Sequence, residues 1–269
     1  LSDIPPLKSV LEGVRIGTTS YIIPDDIVPN VKFLASFVDD VELVVFDSPD
    51  HGNLPGREEV DILVELKEAH ELSYTVHLPI DASLTAVSRR ERMRSIDSCL
   101  RVMERLQDLN PHSYIIHLDG DSTLKREKGS CESWMERAVE SVSKLADFCG
   151  SSERLALENL DYPFDILLEV SRRTGASLCG DVGHVFLHGF SFPDFVDRYL
   201  VESRVVHVHG MVDGMDHRAL SHTDQDVIGA VLEVLSSSGS GRVVTVEVFS
   251  LDDFRRSFEL LKGVLRCER

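Results

Sequence analysis

Val243-Val-Thr-Val-Glu247 is a run of β-branched residues that stops on a carboxylate. Such a run favours a buried strand. A buried strand gains nothing from an ionisable end unless something there needs a ligand. The pattern recurs in Tyr74-Thr-Val-His77, Tyr114-Ile-Ile-His117, Leu155-Ala-Leu-Glu158, Leu178-Cys-Gly-Asp181 and Val205-Val-His207. Segments so distant in sequence bring their ends together only when the strands lie side by side and parallel. The six endings therefore specify both a metal site and the face of the fold that carries it.

Parallel neighbours need long crossovers, usually helices. Strand-like runs near 14–19, 41–46, 73–78, 113–118, 154–160, 177–181, 204–209 and 242–249 alternate with helical spacing of apolar residues. That spacing is clearest at Ile62-Leu63-Leu66, Ile96-Leu100-Val102-Met103-Leu106 and Ile228-Val231-Leu232-Leu235, with a closing amphipathic segment from Phe254 to Leu265. Eight strands without a change of composition predict an α/β fold, a single (β/α)8 TIM barrel forming one domain over residues 1–269. An open doubly wound sheet normally carries a Gly-rich phosphate turn after its first strand, and Ile16-Gly-Thr-Thr-Ser-Tyr21 lacks that spacing. Ser236-Ser-Ser-Gly-Ser-Gly241 is expected to be a flexible turn on the opposite face.

The formal net charge is −18. Nonspecific nucleic-acid binding exchanges counterions for Lys and Arg, so this balance argues against a DNA or RNA partner. No apolar run reaches the roughly 20 residues of a membrane span, and Leu1-Ser-Asp-Ile-Pro-Pro has no signal-peptide pattern. Five scattered cysteines, Cys99, Cys131, Cys149, Cys179 and Cys267, without paired spacing fit reduced thiols in a cytoplasm. Cys179 lies two residues from Asp181 and is expected to share its barrel-facing direction.

Side chains alternate along a strand, so His207 and His209 point one way while Val206 and Val208 face the helices. Imidazoles and carboxylates together suit zinc, manganese or iron. A lone strand-end histidine is more often a hydrogen-bonded rim residue than a ligand. Glu158 and Glu247, in very apolar strands, are harder to explain without a cation. Leu178-Cys-Gly-Asp181-Val-Gly-His184 is the sharpest string, delivering a carboxylate and, three residues on, an imidazole.

With that string the chain resembles the AP endonuclease family 2, or xylose isomerase-like barrels, especially the endonuclease IV type. Val76-His77-Leu78-Pro79, Ile116-His117, Leu157-Glu158-Asn159, His207-Val-His209 and Thr245-Val-Glu247 carry the likeness in strand order. It implies His77 and His117 on one metal, with Glu158 bridging to a second completed by Asp181, His207 and Glu247. His184 would join a third metal with an Asp/His pair from Met211-Val-Asp213-Gly-Met-Asp216-His217-Arg218. The family pair is Asp-x-His, whereas Asp216 and His217 are adjacent here, which leaves Asp213 and Asp216 as competing ligands. One to three divalent ions, zinc or manganese, are implied per chain. Glu158 and Glu247 would act on water or substrate, and His209 would be a metal ligand or, in the preferred reading, a substrate contact.

Ile16-Gly-Thr-Thr-Ser-Tyr-Ile-Ile-Pro24, Asp40-Val-Glu-Leu-Val-Val-Phe46, Ser73-Tyr-Thr-Val-His-Leu-Pro79 and Asp216-His-Arg218 look like the cobamide-remodelling phosphodiesterase branch. That likeness implies hydrolysis of the phosphodiester in the nucleotide loop of a corrinoid. The alternatives are a one-metal isomerase or epimerase of a sugar or sugar phosphate, an AP-site endonuclease, and a non-catalytic corrinoid or metal carrier. Tyr21, Asn159 and Arg218 are candidate substrate contacts. Ser88-Arg-Arg-Glu-Arg-Met-Arg94 places four arginines at a helix start, either near the mouth or on a solvated face.

Overall fold

The computed structural model describes residues 4–46, 52–120, 124, 131–237 and 241–267. Its strands are β1 (Val14–Thr19), β2 (Asp40–Val44), β3 (Ser73–His77), β4 (Tyr114–Ile116), β5 (Leu155–Glu158), β6 (Ser177–Asp181), β7 (Ser203–Val208), β8 (Gly210–Val212), β9 (Met215–Arg218) and β10 (Arg242–Val246). The helices are α1 (Ile27–Leu34), α2 (Arg57–His70), α3 (Arg89–Leu106), α4 (Cys131–Cys149), α5 (Phe164–Thr174), α6 (Val182–Leu187), α7 (Phe192–Arg198), α8 (Gln225–Ser237) and α9 (Leu251–Cys267). β1 to β7 and β10 close a barrel in the order β1-β10-β7-β6-β5-β4-β3-β2, and every pairing is parallel. The expected (β/α)8 barrel is the observed fold. No helix among the described residues is long and apolar enough to cross a membrane.

Alternation along each strand divides the side chains between two environments. Val41, Leu43, Tyr74, Val76, Val206 and Val208 face the helices and join the large outer core. The inward residues Ile115, Ala156, Cys179, Val205 and Val243 form a separate apolar plug inside the barrel. Cys179 therefore faces inward as expected. Opposite that plug the interior is polar, with Asp40, Glu42, Thr75 and Thr245 all fully buried.

Two local features go beyond the sequence expectation. The stretch after Asp181, which delivers the imidazole three residues on, starts α6 at once: Asp181 is its N-cap, and Oδ1 accepts the His184 N–H at 2.6 Å. The loop after β7 folds into the β8–β9 hairpin, whose tip residues Asp213 and Gly214 have φ of 52° and 77°. This left-handed pair suits a two-residue hairpin turn, for which Asp-Gly is a favoured sequence. Of the expected serine-rich turn, residues 238–240 lie outside the described residues.

Candidate metal centre

At the C-terminal mouth, β3, β4, β5, β6, β7 and the segment following β10 present the predicted donors. Glu158 is the hub. Its Oε2 stands 3.0 Å from His117 Nε2 and 3.4 Å from His77 Nε2. Its Oε1 stands 3.5 Å from His184 Nδ1 and 3.6 Å from His207 Nδ1. His184 Nδ1–H donates to Asn159 O at 2.9 Å, so the carboxylate divides its oxygens between the His77/His117 pair and His207.

Donor atoms converge within 4.8 Å of one another in the sets His77/His117/Glu158, Glu158/Asp181/His207/Glu247 and His184/His209/His217, with Cys179 in a further set beside Glu158 and His207. In the four-residue set, Asp181 Oδ2, His207 Nδ1 and Glu247 Oε2 are buried without a hydrogen-bond partner. His207 Nδ1 and Glu247 Oε2 are only 3.1 Å apart, yet they are not aligned as donor and acceptor. Groups aimed at a common centre look like this; groups aimed at each other do not. Leaving such atoms unsatisfied costs about 1–3 kcal/mol each, and a divalent cation would satisfy all three. The residues fit the metal.

Hydrogen bonds behind the donors set the histidine tautomers. His77 Nδ1–H donates to Leu78 O at 2.8 Å, which leaves Nε2 facing Glu158. His207 Nε2–H donates to Glu42 Oε2 at 2.9 Å, which leaves Nδ1 facing Asp181, Glu158 and Glu247. Glu42 is fully buried in β2 and also accepts from Thr245 Oγ1 at 3.4 Å. Sequence reasoning missed it because it sits mid-strand instead of at a strand end. No sequence pattern marks it: Glu42 shares the inward phase of Asp40 and Val44, in a strand that only the fold shows to be buried at every position.

His209 is buried deep among the donors, not at the cavity wall. Its Nδ1 accepts the His217 N–H at 3.1 Å, and its Nε2, buried without a hydrogen-bond partner, stands 3.2 Å from Asp181 Oδ1. The ring lies against Gly183, where a Cβ would sit 2.0 Å from it. That contact explains the glycine in Asp181-Val-Gly-His184. His217 has φ of 54°, a strained conformation for a residue of its type. It stacks on His209 with centroids 4.4 Å apart and directs Nε2 toward Glu247 Oε2 at 3.5 Å. Asp216 holds His217 Nδ1 at 2.9 Å and belongs to none of the converging sets, while Asp213 stands exposed at the hairpin tip.

The remaining candidates are distributed differently. Tyr21 lines the cavity over the donors. Asn159 uses both ends of its amide on the Asp181 backbone, accepting from N at 2.7 Å and donating to O at 3.0 Å. Arg218 donates to Met215 Sδ and does not line the cavity. Of the arginine cluster, Arg92 is buried and tied to Glu140 at 2.7 Å and to Ala86 O at 2.8 Å. Arg89, Arg90 and Arg94 are away from the cavity lining.

Electrostatics reinforce the picture. Burial alone would lower the His77 and His217 pKa values, but facing carboxylates outweigh it and raise each to about 9. His207 is raised well above its ordinary value against the same burial cost. Burial would raise Glu158 and Glu247, yet His117 and His207 for the first, and His207 and His217 for the second, hold both well below the usual range. In the metal-free protein, protonated imidazoles stand where cations would.

Residues 33–264 match the sequence family described as xylose isomerase-like TIM barrel. The chain belongs to that family. A search of curated proteins finds no match. Among solved structures, a D-tagatose 3-epimerase-like protein is similar with TM-score 0.76 and 20% identity, covering 94% of this chain and 97% of its own. An endonuclease IV from Thermus thermophilus is similar with TM-score 0.70 and 18% identity, covering 94% and 99%. A D-psicose 3-epimerase from Clostridium cellulolyticum, with D-tagatose, has TM-score 0.68 and 16% identity, covering 93% and 98%. Identities this low speak for the fold alone. None of these neighbours points to cobamide remodelling, the finer likeness expected from sequence.

Proposed function

We propose that this chain is a metal-dependent hydrolase of phosphodiesters. The observation that carries this is the division of Glu158 between His77/His117 on one oxygen and His207, within the Asp181/His207/Glu247 set, on the other. A single-ion site would need only Glu158, Asp181, His207 and Glu247, which would leave His77 and His117 without a purpose. Divalent ions held there would supply Lewis-acid neutralisation of phosphoryl oxygens and acidify a water molecule. Glu158 sets the spacing of the two donor groups. Glu247, its Oε2 unpaired between His207 and His217, would help hold an ion there and orient the water bound to it. Asn159 locks the Asp181 backbone, and His209 Nε2 stands 3.2 Å from its carboxylate.

A second reading, a one-ion sugar isomerase or epimerase, is favoured by two observations. The four-residue set is complete without the other histidines, and sugar epimerases are prominent among the structural neighbours. Here Glu158 and Glu247 would move protons on either side of a ketose carbonyl.

Metal analysis after reconstitution, run with a panel of bis-p-nitrophenyl phosphate, cobamides, an AP-site duplex and ketoses, separates the two. Two or more ions per chain and phosphodiester cleavage, both reduced in His77→Ala/His117→Ala, are expected. One ion per chain, with ketose epimerisation untouched by that double substitution, would select the isomerase. The corrinoid phosphodiester enters as one member of the panel.

A further inference from the structure

The cavity over the donors has a volume of about 320 Å³. Its floor is polar and its wall is not: Tyr21, Val44, Phe46, Ile80 and Phe249 enclose the space above the carboxylates and imidazoles. Tyr21 meets Phe46 and Phe249 edge-on, with centroids 6.3 and 6.4 Å away and interplanar angles of 79° and 75°. Phe249 in turn lies 5.1 Å from the His217 ring, which ties the wall to the donor floor. Tyr21, Ile80 and Phe249 are 46%, 48% and 41% exposed. Large apolar side chains left open to water around one mouth mark a binding surface.

No Lys or Arg lines this cavity among the described residues. Among the described residues, a phosphate-monoester tail would meet no countercharge on this wall beyond the floor. Val44, Phe46, Ile80 and Phe249 offer a sugar's hydroxyls no polar partner, whereas an aryl ring meets their side chains along its faces and edges.

We infer that the substrate carries a flat apolar group, of aryl type, directly beside the oxygens that the donor floor holds through its ions. Tyr21, Phe46 and Phe249 are the specificity-determining residues for that group. The inference rests on the metal-dependent function proposed above for the polar half of the substrate and narrows its organic half.

The test compares two probes that share a chelating head. Calorimetry on protein loaded with zinc and freed of excess metal measures benzohydroxamate against acetohydroxamate. Benzohydroxamate is expected to bind about tenfold tighter or more, the effect of burying one phenyl ring. In Phe249→Ser that preference is expected to shrink severalfold while metal content and circular dichroism stay unchanged. Equal binding of both probes would overturn the apolar subsite and leave the metal centre standing. Should the protein take up no metal, the proposed function fails separately. Saturation-transfer NMR on the metal-free protein then decides the subsite: transfer to phenol but not to D-glucose, lost in Phe249→Ser, supports it, and equal transfer to both overturns it.

Discussion

Glu42 carries no charge to the substrate, yet it decides which nitrogen His207 offers. Its carboxylate accepts the Nε2–H at 2.9 Å and so turns the Nδ1 lone pair toward Asp181, Glu158 and Glu247. Partners of this kind typically change metal affinity about 10- to 100-fold when altered. Glu42→Gln is therefore expected to weaken metal retention by about that factor against a competing chelator, with the fold intact by circular dichroism. Unchanged retention would show that His207 keeps its tautomer without help. Gly183 makes a comparable contribution through shape. A methyl group at its Cβ position would sit 2.0 Å from the His209 ring, so Gly183→Ala is expected to push His209 off Asp181 and lower metal affinity severalfold. Crystallography of the variant would show an unmoved His209 if that expectation is wrong.

Among the elements, β2 is the most unusual strand, because two inward carboxylates share the barrel interior. Burial, only partly offset by the Ser73 hydroxyl, raises Asp40 to about 6, and Asp40 Oδ1 has no hydrogen-bond partner. An aspartate whose folded pKa lies above its unfolded value near 3.8 opposes folding once ionised, by roughly 1.4 kcal/mol for each pH unit separating the two values. Asp40→Asn is accordingly expected to stabilise the protein at pH 7.5 by about 1–3 kcal/mol in urea unfolding. The gain should shrink as pH falls from about 6 toward 4, where the wild-type carboxyl becomes protonated in both states. A loss of stability at pH 7.5 would mean that the carboxylate has a partner the variant cannot keep. β2 also marks where the sequence stopped being legible. The eight barrel strands and the donors at their ends could be read because an ionisable residue rarely closes an apolar run unless it has a ligand to hold. Glu42 and Asp40 could not, since a carboxylate within a strand is indistinguishable by pattern from one on a solvated face. The β8–β9 hairpin was missed because Asp213-Gly214 is flanked by strands of only three and four residues. Of the apolar wall only Tyr21 was legible, as a candidate substrate contact: Tyr21, Phe46, Ile80 and Phe249 each follow a different strand, and only closure of the barrel assembles them.

At the scale of the whole molecule, a chain with net charge −18 gathers histidines from distant segments at one mouth, and that arrangement couples folding, metal and pH. His77 and His217 have folded pKa values near 9 against an unfolded value near 6.5. Their contribution to the metal-free fold is complete below about pH 6.5 and disappears as pH rises through about 9. Glu158 and Glu247 are shifted downward, so their contribution is present above about pH 4.5 and is lost only as pH falls through their depressed folded values. Asp40 acts in the same direction at lower pH: its burial cost accrues between about pH 3.8 and about 6 and is constant above that. The metal-free protein should therefore be most stable in mildly acidic solution, its melting temperature falling by about 5 °C or more between about pH 6.5 and 9. Metal ions need neutral imidazoles, so binding must expel the protons that the metal-free site holds and must strengthen over the same interval. Thermal melts of chelator-treated and zinc-loaded protein across this range should diverge with rising pH, and calorimetry in buffers of different ionisation enthalpy should register proton release on zinc binding. Parallel melting curves with no proton release would mean that the imidazoles are already neutral, and that something other than their mutual ion pairs keeps the buried carboxylates in place.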